Sequence, residues 1–185
     1  MRHPASVRLQ GPHRPRLARG RAVWGLFHRG RSIVLLTELL AAERIRVPLA
    51  ARTKEAALEE LVGVLHATGA VADPQAVLRA VRQRESELST AIGGGVAVPH
   101  GKAEGVAGFT MAAGVAVDPV DFDAPDGQPV RLFFLLVGPE SAKGAHVKAL
   151  SRIARLVRGE ELRQRLIGAR DADEFMAVVA EAEAA

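Results

Sequence analysis

Residues Val130–Val137 read VRLFFLLV, a run that is apolar at every position but Arg131. A strand with one wet face alternates apolar and polar residues. A run this continuous predicts a central strand covered on both faces. Just upstream, PVDFDAPDGQP at 119–129 is turn chemistry with Asp126-Gly127 at its centre. Before that turn, the small-residue apolar run Phe109–Val117 predicts a second buried strand. Further out on the N-terminal side, Ile45–Leu49 (IRVPL) alternates as a short strand, and Ile33–Leu40 reads as an edge element leading into a helical turn. Thr53 is a good N-cap for a helix whose apolar stripe is Ala57, Leu58, Leu61, Val62 and Leu65, stopped at Gly69. His66 lies just past that stripe and reads as a surface residue. Asp73-Pro74 opens the next helix, with Val77, Leu78 and Val81 facing inward and its end near Arg84-Glu85. On the C-terminal side the spacing is helical throughout: Val147, Leu150, Ile153, Ala154 and Val157, then Leu162, Leu166 and Ile167, then Phe175, Val178 and Val179 after an Asp171 cap. Helices, then strands, then helices predict a single α/β domain with a mixed central sheet flanked by helices.

Between the second helix and the first buried strand lies Ser89–Lys102, STAIGGGVAVPHGK. Three glycines run into Val-Ala-Val, Pro99 is expected to end that strand, and His100 follows at its lip. An imidazole so presented, expected to be exposed, can serve as base, metal ligand or nucleophile. GVAVPHGK is not a phosphate-binding loop of the common type. It has five residues between its outer glycines where four belong, Ala103 where Ser or Thr should follow the lysine, and an internal proline.

Composition narrows the choice. There are no cysteines, which excludes disulfides, thiolate zinc sites and cysteine nucleophiles and fits a reducing compartment. Neither a Gly-x-Ser-x-Gly elbow nor a His-Glu-x-x-His or His-x-His metal pair is present. Aromatics are 4% of the chain and tyrosine is absent, so single-stranded nucleic acid has no stacking platform. No apolar run approaches membrane-spanning length. The net charge of +4 is unevenly placed. Residues 1–31 hold eight arginines and no acid, which leaves 17 basic against 21 acidic residues and a net −4 for 32–185. The leader is either a basic arm for nucleic acid or acidic lipid, or a poorly ordered extension. Its lack of periodicity favours the extension. AVWGLF, 22–27, is too short for a secretory signal.

Of the six histidines, His3, His13 and His28 lie in the leader, which leaves His66, His100 and His146. His146, at a helix start, reads by itself as a capping or surface residue. Arg84, the Ser89 and Thr90 hydroxyls and the glycine N–H groups beside His100 are the kind of donors a phosphorylated histidine needs. RESELSTAIGGGVAVPHGK, 84–102, resembles the active-site segment of the IIA components of the bacterial phosphoenolpyruvate-dependent sugar phosphotransferase system, in the fructose/mannitol class and its fructose and nitrogen-regulatory branch. VDFDAPDGQPVRLFFLLVGP is similar to that branch's acidic turn and central strand, and AHVKALSRIARLV to the helix beginning at the family's second histidine.

The resemblance covers about 33–179 and carries several implications. His100 would take a phosphoryl group from an HPr-like phosphocarrier and pass it to a IIB component, or serve as a signal to regulatory target proteins. Arg84 would neutralise phosphoryl charge, His146 would lie beside His100, and Ser89, Thr90, Gly93, Gly95 and Gly101 would shape the phosphoryl-binding loop. No cofactor or metal is implied, and the location would be cytoplasmic, without membrane insertion or a nucleic-acid partner. The domain would be 32–185. Gly94 stands where the nitrogen branch often has asparagine, which predicts one side-chain hydrogen bond fewer and a looser loop. The alternative is a non-catalytic regulatory binding module, or a detached domain of a larger transcriptional regulator.

Overall fold

The computed structural model describes residues 34–185, and the leader with its Trp24 lies outside them. The centre is an antiparallel pair, β5 (Thr110–Val120) and β6 (Val130–Gly138), joined through the Asp126-Gly127 turn. Strand β1 (Ile45–Leu49) lies parallel to the outer side of β5. On the other side of β6 come β3 (Val96–Ala97), also parallel, and then the short antiparallel β2 (Ala91–Gly93). The order β1-β5-β6-β3-β2 makes a mixed sheet, with β4 (His100–Lys102) as a further parallel partner of β6.

Strand β6 is buried on both faces, as its composition predicts. Phe133, Leu135 and Val137 enter one core with Leu58, Leu61 and Leu65 of α2 (Lys54–Ala67) and Val77 and Val81 of α3 (Pro74–Glu87). Leu132, Phe134 and Leu136 enter the other. There they meet Ile153 of α4 (Lys143–Leu156), Leu166 of α5 (Glu160–Ile167) and Phe175 and Val179 of α6 (Ala172–Ala184). Each such side chain fully withdrawn from water is worth about 1.5–3 kcal/mol, so the double-faced strand anchors both layers. The predicted caps are made: Thr53, Asp73 and Asp171 accept from Ala56, Ala76 and Glu174 N–H.

Two expectations need correction, and a third is met: the helical turn expected within 33–40 is present. Leu36–Leu39 forms a short helix, α1, because the buried Glu183 carboxylate on α6 accepts from the Leu36 and Thr37 N–H groups, at 2.7 and 3.0 Å. On α4 and at its C-cap, Ile153 and Val157 are buried and Leu150 packs against the core as expected, but Val147, 64% exposed, and Ala154 face outward, and His146 and Ala149 are buried instead. Pro99 interrupts its strand without ending it. A proline lacks only the donor, and the Pro99 carbonyl still accepts from Leu136 N–H at 3.0 Å. Pairing with β6 therefore resumes at His100 as β4.

Candidate functional site

Two glycines set the geometry around His100. A Cβ on Gly101 would lie 2.9 Å from both the Val81 backbone nitrogen and its Cγ2, so only glycine lets β4 lie against α3. A Cβ on Gly138 would lie 2.7 Å from Phe109 Cδ2, so glycine there leaves room for the Phe109 ring. Phe109 in turn packs against His146, ring centres 5.3 Å apart. His146, at the start of α4, meets His100 edge-on with centres 5.1 Å apart. The His100 Nδ1 lies 2.8 Å from the Val98 carbonyl oxygen. A carbonyl can only accept, so Nδ1 is assigned the proton and Nε2 keeps its lone pair.

Between α3, β4 and α4 opens a cleft of about 470 Å³, lined among others by Arg84, His100, Lys102, Lys143, His146 and Val147. His100 is half-buried, which corrects the expectation of an exposed ring. Burial, with the nearby Arg84 and Lys102 charges, holds its pKa below the ordinary histidine value, although the Val98 hydrogen bond pulls the other way. His146 is 5% exposed, and burial followed by the fields of His100 and Lys102 pushes its pKa down to about 4. Its Nε2 is buried with no hydrogen-bond partner among the described residues. Among those residues, no group of three or more His, Asp or Glu could hold a metal ion.

The fold thus brings His100, Arg84, His146 and Gly101 to one cleft. Arg84 keeps its guanidinium at the α3 end by donating to the Leu88 carbonyl at 2.9 Å. The hydroxyls of Ser89 and Thr90 are engaged elsewhere. Ser89 Oγ donates to the Phe122 carbonyl at 2.7 Å, and Thr90 gives both its N–H and its hydroxyl to Glu85. Gly93 borders a separate hollow with Asp126 and Arg163, while the Gly95 carbonyl accepts from Arg131 and Leu132 N–H. The Gly94 N–H donates to Asp126 Oδ2 at 2.8 Å, and the site of its missing Cβ lies 3.1 Å from the Arg163 guanidinium.

Two residues with no role in the sequence reading stand out. Glu85, 6% exposed, ties Thr90 to Lys54, whose Nζ lies 2.7 Å from its carboxylate. Its position was signalled by its place one turn beyond Val81 on the buried stripe of α3. Lys102 follows His100 by two residues, a strand spacing that puts both on one face.

Residues 38–182 match the family described as phosphoenolpyruvate-dependent sugar phosphotransferase system, EIIA 2. The chain is 40% identical over 146 residues to a nitrogen regulatory protein of Bradyrhizobium diazoefficiens, an alignment covering 78% of this chain and 94% of that one. It is 38% identical over 144 residues to the fructose-specific EIIABC component of Bacillus subtilis, covering 78% of this chain but only 23% of that much longer protein. Among solved structures, the nitrogen regulatory protein IIA-Ntr of Neisseria meningitidis superposes with a TM-score of 0.73 at 34% identity, covering 78% of this chain and 98% of the other.

Proposed function

Since the chain belongs to the EIIA 2 family of the phosphoenolpyruvate-dependent sugar phosphotransferase system, and so is a phosphoryl-transfer component of it, we propose that His100 carries the phosphoryl group on Nε2. The observation that carries this reading is the Nδ1 contact with the Val98 carbonyl, which leaves Nε2 as the nucleophilic nitrogen of a half-buried ring on the cleft. The donor is an HPr-like phosphocarrier bearing a phosphohistidine. The His100 Nε2 lone pair attacks phosphorus, the new N–P bond forms, and the donor imidazole leaves with the electrons of its own N–P bond. No proton moves on His100, because Nδ1 is protonated throughout.

Chemistry of this kind depends on alignment and charge stabilisation. Arg84 supplies a planar guanidinium at the cleft, suited to phosphoryl oxygens. His146 stays neutral with its pKa near 4 and offers a ring N–H without adding a repelling charge to His100. The onward step is the reverse chemistry toward a IIB component, or the phosphorylated state is read by regulatory targets; relatives named for both roles align with this chain. The phosphoryl-carrying domain in this reading is 32–185, acting in the cytoplasm. Among the described residues, no helix is long and apolar enough to cross a membrane.

The test is incubation with phosphoenolpyruvate and the general phosphotransfer proteins, followed by intact mass and acid-lability measurement. One acid-labile phosphoryl group is expected, lost in His100→Ala with the fold retained by circular dichroism. Labelling of that variant at the wild-type level would overturn the assignment.

A further inference from the structure

On β4 the residue between His100 and Lys102 is Gly101, whose missing Cβ faces α3 at Val81. Strand alternation therefore puts the His100 and Lys102 side chains together on the other face of the strand, and both line the cleft. The sheet register sets Lys102 level with Gly138 of β6. Two residues further on, in the turn before α4, Glu140 holds Lys102 Nζ at 3.0 Å. The Lys102 side chain is 31% exposed and that of Glu140 is 74% exposed. An ion pair with so open a carboxylate is screened by water and held weakly. A phosphoryl group on His100 would offer the same ammonium nearly twice the charge and three acceptor oxygens.

We propose that Lys102 is a phosphoryl-contact residue held in reserve by Glu140. In the free protein its ammonium rests on the Glu140 carboxylate, and on phosphorylation of His100 it moves onto a phosphoryl oxygen. No covalent bond changes in this exchange, and Lys102 keeps its protons. The proposal rests on His100 being the phosphoryl acceptor. Two further facts support it: the Lys102 charge already acts on both imidazoles, and Glu140, on the opposite side of the balance, acts on His146. Lys143 also lines the cleft, but it projects from the exposed start of α4 and shares no strand face with His100.

The test uses the full chain and phosphoramidate as a chemical phosphoryl donor, so that no partner protein enters. Phosphorylation rate is followed by intact mass, and protonation of the bound phosphoryl group by phosphorus-31 NMR as a function of pH. Removing a charge-assisted contact in Lys102→Met should slow labelling about tenfold. It should also move the phosphoryl titration midpoint upward, because a lost cation no longer favours the dianion. Lys102→Arg should restore both readouts. Glu140→Gln frees the ammonium, so its midpoint should lie at or below that of the wild type. A Lys102→Met protein with wild-type rate and midpoint overturns the proposal while leaving His100 as carrier. A Glu140→Gln midpoint raised as far as that of Lys102→Met overturns the reserve arrangement. Failure of the wild type itself to label on His100 overturns the carrier reading and this proposal together.

Discussion

Two imidazoles whose centres lie 5.1 Å apart cannot both hold a second proton without mutual repulsion, and at this site burial opposes either one's doing so. His146 is held to a pKa of about 4, chiefly by burial and then by its neighbour's field. His100 is also shifted below the ordinary histidine value, by burial first and by Arg84 and Lys102 as well. A protonated Nε2 cannot attack phosphorus, so the rate of phosphoryl acceptance should be flat at and above neutral pH. It should fall with acid through a single titration whose midpoint lies below the histidine value of 6.5. The midpoint should move upward in Arg84→Gln, because removing a cation makes protonation of His100 easier. A pH–rate profile of labelling by phosphoramidate measures both. A wild-type midpoint above 6.5 would mean that the ring is more solvated, or closer to an acid, than its half-buried position beside two cations allows.

At the scale of elements, the packing of β4 on α3 is what puts His100 and the α3-borne Arg84 in one cleft. The contact depends on Gly101, where a Cβ would meet main-chain atoms that cannot swing aside. Gly101→Ala should therefore cost about 1–3 kcal/mol of stability as an overpacked contact, and should slow phosphorylation by parting the strand from the helix. Gly63, in the middle of α2 with nothing within 4 Å of its missing Cβ, is the matched control. Gly63→Ala should stabilise by about 1 kcal/mol through helix propensity alone and leave phosphorylation unchanged. Urea denaturation of the two variants measures the contrast, and an unchanged midpoint for Gly101→Ala would show that the contact gives way freely. Where local chemistry sets an element, the sequence was a sound guide: Thr53, Asp73-Pro74 and Asp171 mark helix starts by side-chain capping, and VRLFFLLV marks the central strand by composition. It was a poor guide where a distant group decides. The helical turn at α1 was expected, but not its partner Glu183, nearly 150 residues away. At the start of α4 the buried residue is a histidine, which reads as polar, so apolar spacing put Val147 inward in its place while placing Ile153 and Val157 correctly. Glu85 was passed over for the same reason, a charged residue occupying a buried turn because Thr90 and Lys54 satisfy it.

For the whole molecule, the ordering of strands brings together residues that no local pattern relates, and His146 reaches His100 only because α4 returns over β6 to the end of β4. Motif resemblance anticipated that pairing, while composition and spacing alone left His146 as a surface or capping residue. Both faces of the sheet are closed by described helices: α2 and α3 fill one core, and α1, α4, α5 and α6 the other. The start of α1 is itself satisfied by Glu183. The leader differs from the rest in charge as well, with eight arginines and no acid against a net −4 for 32–185. A domain that is closed and acidic should neither need the arm for stability nor bind polyanions without it. Deleting residues 1–31 should change the melting temperature by less than about 3 °C, the shift that roughly 1 kcal/mol produces in a domain of this size. The phosphorylation rate should stay the same, and any salt-sensitive retention on heparin or duplex DNA should disappear, since such retention scales with the number of cations engaged. Thermal melts and salt-gradient elution of the full and shortened chains decide the matter. A melting temperature lowered by 10 °C or more, far beyond that margin, would establish that Trp24, Leu26 and Phe27 add to the core and that the domain begins well before residue 32.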